Sequence, residues 1–190
     1  MIDFRDDINN AIEVLRKGGI ILYPTDTIWG IGCDATNAQA VQRIYDIKQR
    51  DDSKSMLILL ENPNLMLTYV EEIPEVGWDL IEFAGKPTTI IYDRAKNLAQ
   101  NLIADDGSIG IRITKEVFTQ NLIKRFRKPL VSTSANISGQ PSPASFSDIS
   151  EAIKSKVDYI VKYRQEETIN PVPSSIIKLG SSGLIKIIRK

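Results

Sequence analysis

The chain predicts an α+β fold, a mixed α/β arrangement in which helices pack on a mixed sheet. Three observations lead there. Short apolar, β-branched runs alternate with segments of helical spacing along the whole sequence. No internal repeat, long linker or low-complexity tract divides the 190 residues, which predicts one domain over 1–190. The hydrophobic fraction of 42% and charged fraction of 25% sit near the averages for globular domains, apolar enough for a sizeable core.

The elements follow in order. Ile8, Ala11, Ile12 and Leu15 recur at helical spacing behind Asp6 and Asp7, with Arg16 and Lys17 at the far end and Gly18-Gly19 beyond; this is one amphipathic helix. Ile20 to Tyr23 reads as a buried strand stopped by Pro24. Residues 38–49 carry Val41, Ile44, Tyr45 and Lys48 at helical spacing. A strand over 56–60 and short helices over 64–70 and 75–83 come next, then strands over 88–92 and 108–113. Thr114 is placed to cap a helix over 115–126. Strand 130–133, a helix over 149–153, and strands 159–161, 175–178 and 185–188 complete the pattern.

Composition excludes several chemistries. Lysine plus arginine number 24, as do aspartate plus glutamate, a balance unlike the basic excess of a dedicated nucleic-acid binder. The chain has no histidine, which rules out a Ser-His-Asp triad, a Cys-His pair and a histidine zinc site. The single cysteine, Cys33, can form no internal disulfide and reads as a small buried hydrophobe. The acidic amphipathic N-terminus is not a signal peptide and no apolar run approaches a membrane span, so a cytoplasmic protein is expected.

Four stretches join a β-like run to polar residues that a core has no use for. Tyr23-Pro-Thr-Asp-Thr-Ile-Trp-Gly30 sets two hydroxyls around a carboxylate after a strand, a common ligand position and equally a turn satisfying its own backbone. Lys48 and Arg50, followed by Lys54, would grip phosphate in a cleft or simply favour a helix C-terminus. Ser132-Thr-Ser134-Ala-Asn136-Ile-Ser138-Gly139, with Ser142 beyond, would form an anion-binding nest or an Asx/Ser-rich loop. Asn170-Pro-Val-Pro-Ser174-Ser175 makes a second serine-lined lip or an ordinary stiff loop. The basic cluster Lys124, Arg125, Arg127 and Lys128 reads first as a solvated helix end.

Taken together, Gly-Gly before the Tyr-Pro-Thr-Asp-Thr-x-x-Gly run, Lys-x-Arg at 48–50 and Ser-x-Asn-x-Ser-Gly at 134–139 resemble the YrdC/TsaC family, in the same order and over nearly the whole chain. The resemblance implies a twisted YrdC-like mixed sheet with a concave, positively lined cleft, in the short, single-domain form. It implies an L-threonylcarbamoyladenylate synthase, a nucleotidyltransferase that makes threonylcarbamoyl-AMP and pyrophosphate from ATP, L-threonine and bicarbonate or CO2 for tRNA modification. By the same resemblance Lys48, Arg50, Ser134 and Asn136 form the catalytic tetrad at the nucleotide. Lys54, Ser108, Ser142 and Arg189 are further ATP contacts. Thr27, Arg112, Ser132 and Ser174 hold threonine. Mg2+ is expected through the ATP phosphates, with no protein side chains as metal ligands. A separate complex would transfer the threonylcarbamoyl group to tRNA.

The sequence departs from the family pattern at three places. Asp51-Asp52 follows Arg50 where proline is frequent, Leu59 stands where some longer relatives have histidine, and Trp29 replaces the commoner tyrosine. Two other function classes are weighed. One is a non-catalytic module of the same fold that binds double-stranded RNA or tRNA. The other is a different carbamoyl-nucleotide enzyme, like the YrdC-like domain of hydrogenase maturation proteins, whose zinc-ligand cysteines are absent here.

Overall fold

The structure is a computed structural model that describes residues 4–49, 56–167 and 172–190. Five α-helices are described: α1 (Arg5–Arg16), α2 (Ala38–Lys48), α3 (Glu75–Glu82), α4 (Val117–Phe126) and the short α5 (Glu151–Lys154). The strands are β1 (Ile21–Tyr23), β2 (Gly30–Gly32), β3 (Leu57–Leu60), β4 (Thr88–Tyr92), β5 (Ile109–Ile113), β6 (Leu130–Ser134), β7 (Tyr159–Ile160), β8 (Ser175–Leu179) and β9 (Ile185–Arg189). They form one mixed sheet in the order β7-β1-β2-β6-β3-β5-β4-β8-β9. Parallel pairs (β1 with β7, β3 with β5, β4 with β8) are interleaved with antiparallel ones, such as β6 between β2 and β3.

Alternation along the strands sends residues to two apolar clusters on opposite faces. On one face Ile20 and Leu22 of the first strand run, with Ile31, Ile58, Leu60, Ile90, Ile111 and Val131, meet Val41, Ile44 and Tyr45 of α2, and α3 adds Leu80 and Ile81 at the margin. On the other, Ile21, Tyr23, Leu59 and Leu130 meet Ile8, Ile12 and Leu15 of α1 and Phe118 and Leu122 of α4. The helix positions that the i, i+3, i+4 spacing picks out are those that are buried.

Three local features depart from the sequence reading. Strand β2 is additional: its two glycines weaken any β signal, yet Gly32 is needed, because a Cβ there would lie 2.4 Å from Val131 O. The N-cap of α4 is Glu116, not Thr114; its carboxylate accepts from Thr119 N at 2.7 Å, while Thr114 Oγ1 accepts from Glu116 N in the turn before it. The segment after β3 is a 3-10 helix, Pro63–Thr68, started by Asn62 accepting from Asn64 N. Among the described residues no helix is long and apolar enough to cross a membrane.

Candidate functional site

Helices α1 and α4 cover only part of their face of the sheet, and a cavity of about 270 Å³ opens over the rest. Strand alternation supplies its floor: Ser132 and Ser134 from β6, Leu57 from β3, Gly110 and Arg112 from β5, Thr89 and Ile91 from β4, and Ile176 from β8. The β1–β2 loop adds Thr25 and Thr27, and β2 adds Gly30, at one side, and Ser142, Ser174 and Arg189 close the other. Gly110 keeps the floor low, since a Cβ there would press on Thr89 Cγ2 at 3.2 Å and Leu57 Cβ at 3.3 Å. The lining is thus hydroxyls and two guanidinium groups on an apolar base, a setting that favours an anionic, hydrogen-bonding ligand.

Arg112 is the unusual group. Its side chain is only 4% exposed and Asp26, 9% exposed, sits beside it with Nη2 to Oδ1 at 3.1 Å. The contact is an ion pair rather than an aligned hydrogen bond, and both Arg112 Nε and Asp26 Oδ1 are buried without a hydrogen-bond partner. Burial pulls the Arg112 pKa down; Asp26 and Tyr23 oppose that, and Arg189 adds to it. The guanidinium therefore keeps a donor, Nε, that no protein group satisfies.

The loop that carries Thr27 is braced from several sides. Thr25 Oγ1 donates to Ile28 O at 2.8 Å, accepts from Thr27 N at 3.0 Å and lies 3.0 Å from Thr27 Oγ1. From outside the loop, Thr119 Oγ1 donates to Pro24 O at 3.0 Å and Arg164 Nη1 to Thr25 O at 3.2 Å. At the opposite rim Arg189 Nε donates to Ser174 O at 2.9 Å, and Ser174 Oγ lies 2.9 Å from Thr89 Oγ1.

The residues singled out in the sequence fall into three groups. Thr27, Arg112, Ser132, Ser134, Ser142, Ser174 and Arg189 all line the cavity. Lys48, Asn136 and Ser108 do not. Lys48 is buried to 2% exposure, and its ammonium donates to Ser134 O at 2.6 Å and Asn136 O at 2.7 Å, so it fixes the backbone on which the Ser134 and Asn136 side chains are carried. Asn136 Nδ2 donates to Ile137 O and Gln140 O, shaping the loop that follows. Ser108 Oγ donates to Asp106, itself paired with Lys178, and these contacts draw the Asp106 carboxyl down to about 2. Arg50 and Lys54 lie outside the described residues.

Leu59, which stands where the family resemblance places histidine in some longer relatives, faces the covered half of the sheet beside Leu130 and Phe118. Trp29 is buried against Phe146, with ring centroids 4.9 Å apart. Cys33 is fully buried, and burial pushes its thiol up. The basic cluster at the end of α4 is partly committed to structure: Arg125 donates to Asn9 and Lys128 pairs with Asp34 at 2.6 Å. Sequence reasoning placed Thr25 and Asp26 in a candidate ligand loop without giving either a role, and passed over Thr89. For Thr89 the available signal was the Thr88-Thr89 pair opening an otherwise apolar β4, with Thr89 on the side of the strand that Ile91 shares.

Residues 13–190 match the Sua5/YciO/YrdC family, described as "Telomere recombination". The threonylcarbamoyl-AMP synthase of Pseudoalteromonas translucida (strain TAC 125) is 36% identical over 154 residues, covering 80% of this chain and 82% of the relative. That of Vibrio parahaemolyticus is 28% identical over 184 residues, 95% and 98% of the two chains. Among solved structures, P. abyssi Sua5 complexed with L-threonine superposes with a TM-score of 0.85 at 27% identity, over 94% of this chain and 52% of that one. The present chain therefore spans about half the length of that protein. E. coli YciO superposes with a TM-score of 0.85 at 25% identity, over 100% of this chain and 91% of that one.

Proposed function

The chain belongs to the Sua5/YciO/YrdC family, and from that membership we propose that it is a threonylcarbamoyl-AMP synthase, using ATP, L-threonine and bicarbonate or CO2. The observation that carries the reading is the buried Arg112, with its Nε unsatisfied by protein, in a hydroxyl-lined cavity that also holds Arg189. A planar guanidinium with spare donors suits a carboxylate. The relatives named for this activity, and the relative solved with L-threonine, point to the same substrate.

In this reading the threonine carboxylate meets Arg112, and the hydroxyls of Thr27, Ser132 and Ser174 face the rest of the amino acid. The threonine amine adds to CO2 and loses a proton, giving a carbamate. A carbamate oxygen attacks the ATP α-phosphorus, the bond to the β-phosphate oxygen breaks, and pyrophosphate leaves. The protein's work is positioning and compensation of phosphate charge, which needs no nucleophilic side chain. Arg189, Ser134 and Ser142 take the nucleotide side, joined by Arg50 and Lys54. Lys48 acts through the Ser134–Asn136 backbone. Magnesium enters on the triphosphate as part of the substrate. The reaction makes the protein a nucleotidyltransferase, and its product would be handed on, in the cytoplasm, to a separate machinery that modifies tRNA.

Pyrophosphate release from ATP by purified protein tests this directly. Release that requires both L-threonine and bicarbonate is expected. Release indifferent to threonine, or dependent on carbamoyl phosphate instead, would overturn the reading.

A further inference from the structure

Asp26 lies in the same short loop as Thr27, yet it does not line the cavity. It lines a second, small hollow on the other side of β5, between the sheet and α3, together with Ile111, Ile113 and Leu80. Its carboxylate is buried there, anchored at Oδ2 by the backbone N–H of Lys115 at 3.4 Å and paired at Oδ1 with Arg112. Two residues from different segments thus meet across the end of β5: Arg112 faces the cavity and Asp26 stands behind it. The loop that presents Asp26 is itself fixed by Thr25, Thr119 and Arg164.

A long arginine side chain has several rotatable bonds, and a buried guanidinium without a partner is costly. One fixed carboxylate behind it resolves both problems. It compensates the charge, and it pairs with Nη2, which leaves the rest of the guanidinium for a ligand. Arg189 acts on Arg112 as a second positive charge, so the site keeps a positive excess toward an incoming anion after Asp26 is counted.

We propose that Asp26 is a positioning residue: it holds the Arg112 guanidinium in the orientation that recognises an α-carboxylate, and through Arg112 it sets the selectivity for a free amino acid over its carboxamide. This deepens the proposed function and rests on it for the identity of the ligand. It does not rest on it for the orientation of Arg112.

The test compares wild type with Asp26→Asn, a near-isosteric change that removes the charge. In the pyrophosphate assay the threonine KM is expected to rise roughly tenfold, the scale seen when a group orienting a binding residue is lost. The ATP KM should stay within about twofold, because a change confined to the amino-acid end is uniform binding lost there alone. The preference for L-threonine over L-threoninamide should shrink by a similar factor. An unchanged threonine KM, or equal rises for threonine and ATP, would overturn the proposal. Calorimetric titration of the wild type with L-threonine separates the two readings, since absence of binding defeats the proposed function. The crystal structure of Asp26→Asn then still decides the positioning role: a guanidinium left in place overturns it, and a rotated one supports it. Should that variant not fold, the side-chain Nε–H resonance of Arg112 in the wild-type protein decides. A slowly exchanging single signal is expected, and a rapidly exchanging, averaged one would overturn the proposal.

Discussion

Along β6, Leu130 is sealed beneath the α1–α4 pair, whereas Ser132, two residues further on the same face, lines the cavity. On β3 the order reverses, with Leu59 under the helices and Leu57 at the cavity, because the two strands are antiparallel. One sheet face is therefore divided into a covered half, filled by Leu, Ile and Phe, and an open half of hydroxyls, glycines and arginine. The strand geometry is common to both halves. What differs is whether a helix lies on top, and so whether a strand residue meets carbon or water and ligand. The covered half should set stability, and the open half should set activity.

The largest effect expected from that division is in the covered half. Phe118 is fully buried at the start of α4, edge-on to Phe4 and stacked on Tyr163 at 5.8 Å. Phe118→Ala should cost about 3–5 kcal/mol of unfolding free energy, the range for truncating a core aromatic. Urea denaturation reads this from the midpoint at unchanged slope. Pyrophosphate release per folded molecule should stay near wild type at low temperature. A variant that kept its midpoint but lost turnover would erase the distinction between the halves.

The reciprocal change is in the open half. Arg189 is exposed on the edge strand β9, and its guanidinium reaches the cavity rim through Ser174 O. Arg189→Ala removes a charged hydrogen-bond donor from the nucleotide end, worth about 1.5–3 kcal/mol where it meets an anion. That corresponds to a fall of roughly 10- to 150-fold in kcat/KM for ATP. Stability should move by less than about 0.5 kcal/mol, as for most surface changes. Equal losses in both readouts would mean that the rim is structural.

The sequence disclosed the covered half more fully than the open one. Helical spacing at Ile8, Ile12 and Leu15 and the apolar runs at 57–60 and 130–131 carry their own periodic signal, and burial follows from it. The cavity residues come from strands distant in sequence, and only pairing brings Arg112, Ser132 and Ser174 to one face. Their identification rested on the resemblance of the Thr-Asp-Thr, Lys-x-Arg and Ser-x-Asn runs to a family. What that resemblance left out is the support behind each group. Lys48 reads in sequence as a phosphate ligand or a helix-end charge, yet in the fold its ammonium donates to the backbone carbonyls of Ser134 and Asn136. Asp26 reads as a ligand contact or a turn residue, and only its distance to Arg112 shows it as a support. Strand β2 stayed hidden because glycine weakens any β signal, while Gly32 is there for close approach to the Val131 backbone, which no propensity scale rewards.

The smallest effect sits at the seam between the halves. Glu116 caps α4, the covering helix, and its Oε1 lies 3.7 Å from Arg164 Nη1, the same nitrogen that donates to the Thr25 carbonyl of the cavity loop. Burial raises the Glu116 pKa; the N–H groups of Thr119 and Phe118 and the charge of Arg164 only partly offset this. The folded state thus binds the Glu116 proton more tightly than the unfolded chain, where the group titrates near about 4.3. Linkage then fixes the sign: stability declines as pH rises from that value through the raised folded pKa, and is flat above it. Glu116→Gln keeps an acceptor for Thr119 N but has no proton to lose, so this contribution to the slope disappears. Urea midpoints of wild type and variant, measured from mildly acidic to neutral pH, should show the wild type losing ground to the variant as pH increases. A difference independent of pH, or one that grows in favour of the wild type, would mean that Arg164 compensates the carboxylate fully and that the seam is electrostatically closed.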